Sequence, residues 1–391
     1  MSNKNALKSV AMNENHPNYA NATSRLEPLY QRPTDIRNDF ERDYTRILYS
    51  KAYRRLKHKT QVFFNIDNDH VCTRLEHVTL VQSISETIAK YLGLNIDLVR
   101  AIAIGHDLGH APFGHGGERI LNKLHQEYDL GTFFHEKNSL YFIDHIEKLK
   151  DENQHDVALN LTYAIRDGII SHCGEVHLPQ IKPRKEMIDL QDYQVAGQYA
   201  PYTYEGCVVK MADKIAYLSR DIEDAISLQL LPKQKVEDLV LEINKIWPNI
   251  TSLDNGTLVH YFIMDVCENS SVVQGICLSK EAFDLMKLLM KFNYEHIYLT
   301  KRLKIFDAYV AQMIQGIFDV LYEVNIDENL LQSLQPYPLL QKYYVKWVAD
   351  YANVLYNYSD AKDRAKSVLD FIAGMTDQFL IRVFNELISF H

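Results

Sequence analysis

Residues 106–118 read HDLGHAPFGHGGE. Three histidines, two acids, a proline and four glycines share these thirteen positions. The run before it, LVRAIAIG at 98–105, is apolar nearly all round, which predicts a buried helix capped by Asn95. His106 and Asp107 therefore end a buried helix, where an unpaired carboxylate is expensive and a cation is the economical partner. Pro112 and Gly114 predict a turn, and GHGGE the start of another helix. The free N–H groups of that helix make an anion site. One short stretch thus sets a cation-seeking pair beside an anion-seeking helix end.

Outward from it, helical periodicity continues almost everywhere. From His77 to Leu92 the apolar residues fall at Leu80, Val81, Ile84, Ile88 and Leu92, and Gly93 is the stop. Similar patterns occupy 114–128, 135–149, 156–171, 206–230, 234–246, 256–267, 280–299, 303–325, 338–357 and 360–388, with Ser359 and Asp363 at the start of the last. QVFF at 61–64 reads as a short strand or turn. The longest aperiodic stretch, 172–200, reads as an ordered surface loop, with a lid or assembly loop as the alternative. No repeat or Gly/Ser linker divides the chain. The expectation is one all-α domain over 25–391, preceded by an Asn-rich mobile tail at 1–24.

The 391 residues are 47% hydrophobic and 24% charged, as in ordinary globular proteins. No apolar run reaches membrane-spanning length, and the first residues lack a signal-peptide core. Five scattered cysteines without a CxxC pair suit a reducing cytoplasm, as packed rather than reactive thiols. A net charge of −9 argues against general affinity for nucleic acid or anionic membrane. The basic cluster AYRRLKHKTQ at 52–61 carries few interleaved aromatics, so it gives little support to nucleic-acid binding.

A cation at His106-Asp107 needs further ligands. His77, in TRLEH, and Asp213, in VVKMADKIAYLSRD, complete a set of two nitrogens and two oxygens. Such a set suits Mn²⁺, Fe²⁺ or Mg²⁺ better than a closed thiolate zinc site. It leaves octahedral positions for water and a substrate oxygen. Any one of the four also reads as a hydrogen-bonded structural residue, and His77 alone reads better so; the set favours a metal. The second His-Asp pair, His155-Asp156, lies in a polar stretch and reads as a helix cap.

His115 and Glu118, three apart, share one helix face, and a carboxylate beside an imidazole favours its protonated form, as a general acid requires. Glu118 alone reads equally well as an acid favoured by the helix dipole, but that leaves His110 and His115 unexplained. Lys214, Tyr217 and Asp221 form a stripe suited to phosphate and sugar; without a metal it reads as a solvated face with an Arg220–Asp224 pair. Arg74, three residues before His77, can serve the same anion as the metal.

The order H…HD…D resembles that of HD-domain metal phosphohydrolases. AYRRLKHKTQVF, TRLEH, HDLGHAPFGHGGE, RDGIISHCGE, GCVVKMADKIAYLSRDIEDAI and DFIAGMTDQFL resemble the deoxyguanosine triphosphate triphosphohydrolase family over roughly 25–390. The resemblance implies an HD-domain helical fold with additional C-terminal helices, the metal site within 74–224 and the C-terminal part from 225. It implies hydrolysis of a dNTP, dGTP foremost, to deoxynucleoside and inorganic triphosphate. It assigns His77, His106, Asp107 and Asp213 to the metal, and His115, Glu118 and His110 to catalysis. Arg74 and Lys214 fall to phosphate, Gln61, Tyr217 and Asp221 to the deoxyribose, and His135 to substrate. It further implies a homo-oligomer and nucleotide effectors. Two readings compete: an HD phosphodiesterase acting on cyclic nucleotides or single-stranded nucleic acid, and a nucleotide-sensing binding protein.

Overall fold

The computed structural model describes residues 3–30, 34–64, 71–174, 178–248, 253–324 and 329–389. Local sequence signals explain where its central helices start and stop. Helix α1 spans Asp39–Tyr49 and begins in a capping box between Asn38 and Glu41. Helix α2 spans Arg74–Leu92, opening on a second capping box, Thr73 with Glu76, and ending at Gly93 with φ 82°. Only a residue tolerant of left-handed backbone fits that stop. Helix α3 is Ile96–Gly105, and the Asn95 side chain accepts from the amides of Asp97 and Leu98, as expected.

The next elements carry the polar residues. Helix α4 spans Gly114–Glu127 and follows Phe113, whose φ of 59° is left-handed and which supplies no side-chain cap. Helix α5 is His135–Tyr141, α6 is Tyr163–Ile170, and α7 is the long Tyr204–Ser227, capped by Thr203. In the C-terminal part, α8 spans Lys301–Glu323, α9 Ala361–Ala373 and α10 Asp377–Ile388.

Two apolar clusters organise these helices. In the first, α2, α3 and α7 pack on one another while α1 and α6 lie against α3. In the second, α8, α9, α10 and the inner face of α4, with Leu121 and Leu124, share a separate core. Helix α4 thus belongs by sequence to the N-terminal half and by packing to the C-terminal half. Its first turn, with His115 and Glu118, lies where the two cores meet. Lys59, 2% exposed, crosses the seam by donating to the carbonyls of His110 and Ala373. Strand structure among the described residues is minor: Lys148–Lys150 pairs antiparallel with Asp156–Ala158, and Gln180–Ile181 with Ile276–Cys277.

Several expectations are corrected. The segment expected to be a mobile tail, 1–24, is packed over its described residues. Leu7, Ala11, Met12 and Ala22 are buried, and the Met12 amide donates to Glu205 Oε1 at 2.9 Å. Its polar composition hid a few well-spaced apolar anchors. His155-Asp156 caps no helix: Asp156 begins a strand and pairs with Lys150. The helix predicted over 360–388 is two helices broken at Gly374–Thr376, capped by Asp360 and Thr376 rather than Ser359. Of the two readings of QVFF at 61–64 the turn fits, since the chain bends over 61–63 and forms no strand there. Described parts of 172–200 are ordered by an Arg184–Asp167 ion pair and by Lys137 Nζ donating to Tyr193 O. Residues 175–177 of that stretch lie outside the described residues.

Candidate active site

Four of the predicted residues converge from three helices. His77 comes from the first turn of α2, His106 and Asp107 follow α3, and Asp213 lies midway along α7. His77 Nε2 is 2.9 Å from Asp213 Oδ1. His106 Nε2 is 3.8 Å from both Asp213 Oδ1 and Asp107 Oδ1. The His106 ring is oriented by Nδ1–H donating to Ala103 O at 2.7 Å. Its Nε2 is buried with no hydrogen-bond partner among the described residues. A buried imidazole nitrogen with an unused lone pair, between two carboxylate oxygens, fits a divalent cation and has no apolar explanation. His77, His106 and Asp213 donors, all within 4.8 Å of one another, could hold such an ion, with Asp107 Oδ1 beside His106.

Charge in this cluster is balanced by Arg74, whose Nη1 donates to Asp107 Oδ2 at 2.6 Å and leaves Oδ1 on the cluster side. Burial alone would raise Asp107; Arg74 and the neighbouring histidines hold its carboxyl well below the usual range. Arg74 Nε is buried and without a partner among the described residues, as is Gln61 Oε1. Both belong to side chains lining the same cavity.

Glu118 organises the second group. Its Oε2 accepts from His115 Nδ1 at 2.9 Å, and its Oε1 accepts from the His135 amide at 2.8 Å and from His135 Nδ1 at 3.1 Å. Burial would raise this acid; the facing His135 and the hydrogen bonds from both imidazoles hold it far below the carboxylate range. The His115 side chain is 71% exposed toward the cavity mouth. His110 stacks on His135 with centroids 4.4 Å apart, and burial lowers its pKa.

A cavity of about 550 Å³ joins the groups, within the roughly 300–1,000 Å³ of small-molecule sites. Gln61, Arg74, His77, Asp107, His110, His115, Glu118, His135, Asp213, Lys214, Tyr217 and Asp221 all line it. His106 alone among the predicted residues is not part of its wall; it lies behind, 1% exposed. A larger cavity of about 930 Å³ between 26–49 and 144–160 holds none of them. Its arginines are spent on Asp35, Asp39 and the carbonyls of Ala158 and Leu159.

Sequence reasoning missed several neighbours. Tyr298, from the π-helical turn Tyr294–Tyr298, donates to Asp221 Oδ2 at 2.5 Å. Burial raises Asp221 to about 7 despite that bond. Asp307 of α8 pairs with Arg119 beside the cavity mouth. His172 lies against His106, ring centroids 4.7 Å apart. A signal for His172 existed: like His106 it follows an apolar helix and donates Nδ1–H to the carbonyl three residues back.

Comparison with known proteins agrees with this architecture. An HD domain matches residues 74–218 and a phosphohydrolase-associated domain matches 276–386. The deoxyguanosinetriphosphate triphosphohydrolase-like protein of Caldanaerobacter subterraneus subsp. tengcongensis is 35% identical over 93% of this chain and 89% of its own. Those of Desulfatibacillum aliphaticivorans and Rickettsia bellii are 34% and 30% identical, over 94% and 91% of this chain and 92% and 93% of theirs. Among the described residues no helix is long and apolar enough to cross a membrane. With the HD cluster, the Glu118-centred histidines and these relatives together, the chain belongs to the deoxyguanosinetriphosphate triphosphohydrolase-like family of HD-domain phosphohydrolases.

Proposed function

We propose that the chain is a metal-dependent dNTP triphosphohydrolase, dGTP foremost, that releases deoxynucleoside and intact inorganic triphosphate. The observation that carries this is one cavity in which the HD cluster and the His115–Glu118 pair face a cationic and hydroxyl-reading wall. His77, His106, Asp107 and Asp213 would hold the divalent cation. Such an ion supplies Lewis-acid polarisation of a phosphoryl oxygen and activates water for attack.

The remaining work falls to the chain itself. Arg74, with its unpartnered Nε, and Lys214 bind the triphosphate and offset charge that grows as the α-phosphorus is attacked. His115 keeps Nδ1–H on Glu118, so its other nitrogen carries the proton for the departing 5′-oxygen. Glu118 orients His115. His110 and His135 line the phosphate side of the same wall. Gln61, Tyr217 and Asp221 read the deoxyribose; the Tyr298 hydroxyl fixes the carboxyl of Asp221.

The test is anion-exchange analysis of products from each dNTP with Mn²⁺, singly and mixed, beside a His106→Ala, Asp107→Ala control. Deoxynucleoside and intact triphosphate, absent from the control, is the expected result. Monophosphate with pyrophosphate would transfer the assignment to a phosphodiesterase. No product from any mixture would transfer it to a sensor. Equal turnover of GTP and dGTP would remove the sugar-reading role.

A further inference from the structure

Beside the HD cluster lies a second convergence of donor atoms, and it contains a sulfur. His135 Nε2 is 3.6 Å from Cys173 Sγ. One ring nitrogen of His135, one of His172 and Cys173 Sγ all lie within 4.8 Å of one another. A sulfur at ~2.3 Å and a nitrogen at ~2.0–2.1 Å from one tetrahedral zinc are about 3.5 Å apart. The His135–Cys173 separation already matches that edge.

Both imidazoles are oriented for ligation. His172 Nδ1 donates to Ile169 O at 2.6 Å, and His135 Nδ1 to Glu118 Oε1 at 3.1 Å. Each bond places a proton on Nδ1; His172, lowered by burial, keeps its lone pair on Nε2, whereas His135, raised against burial by Glu136 and Glu118, gives up its Nε2 proton on ligation. The surroundings also supply negative charge. Glu136, 1% exposed, keeps a buried Oε2 with no hydrogen-bond partner, 3.5 Å from His135 Nδ1. The nearby cation, Lys210, donates to the carbonyls of Ser171 and Cys173 and so holds the loop rather than the carboxylate.

We propose that His135, His172 and Cys173 form a binding site for a thiophilic divalent cation of the zinc class, adjoining the all-nitrogen-and-oxygen HD set, whose His106 and Asp107 donors also lie within 4.8 Å of His172. Binding forms the metal–sulfur and metal–nitrogen bonds as the thiol proton and the His135 Nε2 proton leave to solvent; no oxidant or reductant takes part. All three residues line the cavity, so an ion held by them is reached from it. An occupied site takes His135 Nε2 away from substrate, so the ion acts as an inhibitor; this consequence alone rests on the function proposed above.

The test uses the full chain, stripped with chelator and titrated anaerobically with Co²⁺. Only a thiolate ligand gives a sulfur-to-cobalt charge-transfer band in the near ultraviolet, so the HD set contributes none. The expected result is a band that saturates in the wild type, is bleached by Zn²⁺ and is lost in Cys173→Ser with an unchanged circular dichroism spectrum. In the wild type, Zn²⁺ should also slow alkylation of the Cys173 peptide by iodoacetamide, which needs no variant. Absence of the band in the wild type, its persistence in Cys173→Ser, or unprotected alkylation at saturating Zn²⁺ overturns the proposal.

Discussion

Replacing Asp377 by alanine should loosen the start of α4 although the two are remote in sequence. Asp377 is buried in the first turn of α10. Its Oδ1 accepts the Phe113 amide at 2.9 Å, and its Oδ2 accepts the Thr60 amide at 2.9 Å and the Thr60 hydroxyl at 2.6 Å. Phe113 holds left-handed backbone directly before Gly114, a conformation costing about 1–3 kcal/mol that the surroundings must enforce. A hydrogen bond to a charged group contributes roughly 1.5–3 kcal/mol. If exchange proceeds through local opening, losing that bond speeds exchange of the Phe113 amide by about 10- to 150-fold, at ~1.4 kcal/mol per tenfold. Hydrogen-exchange mass spectrometry on peptides covering 106–121 and 56–64 reads both partners. Since His115 follows Phe113 by two residues, triphosphate release should lose kcat more than KM. Unchanged exchange in both peptides, with the fold intact, would refute the claim that this carboxylate pins the α4 entrance.

Other substitutions probe separate parts of the argument. Glu118→Gln removes the charge that both His115 and His135 face; triphosphate release should fall by about 10²–10⁴ with bound metal unchanged, and a fall in metal content would instead make Glu118 a support of the HD cluster. Asp221 has a folded pKa raised to about 7 by burial, so its contribution to stability is full below the unfolded carboxyl pKa and is lost as pH rises toward 7. Asp221→Asn should therefore gain on the wild type between pH 5 and 7, by at most about 1.4 kcal/mol per pH unit; parallel melting-temperature profiles would contradict this. Gly117→Ala places a Cβ 1.9 Å from Pro112 O, a backbone atom, whereas Gly116→Ala meets the Asp307 side chain at 2.6 Å. The first should cost about 1–3 kcal/mol and the second less, and thermal unfolding that ranks them the other way would show that the turn yields more easily than the ion pair.

The sequence by itself determined the helices and the chemistry available to them. The caps at Thr73 and Asn95, the stop at Gly93 and the apolar stripe of α2 are local signals, since helix geometry repeats every 3.6 residues and needs no distant partner. The HD residues and the His115–Glu118 pair were legible for a related reason: polar groups that end a buried helix, or that share one helix face, advertise a demand that packing alone leaves unmet. Tertiary structure decided which demands meet. Phe113 and Asp377 are 264 residues apart. Asp221 and Tyr298 are separated by 77, and His135 and Cys173 by 38. No periodicity encodes such pairings, because each joins elements that meet only when the apolar cores assemble. The burial of Leu7, Ala11, Met12, Ala22 and Lys59 has the same origin: exposure belongs to the assembled surface, and a polar composition leaves it open until the core has formed.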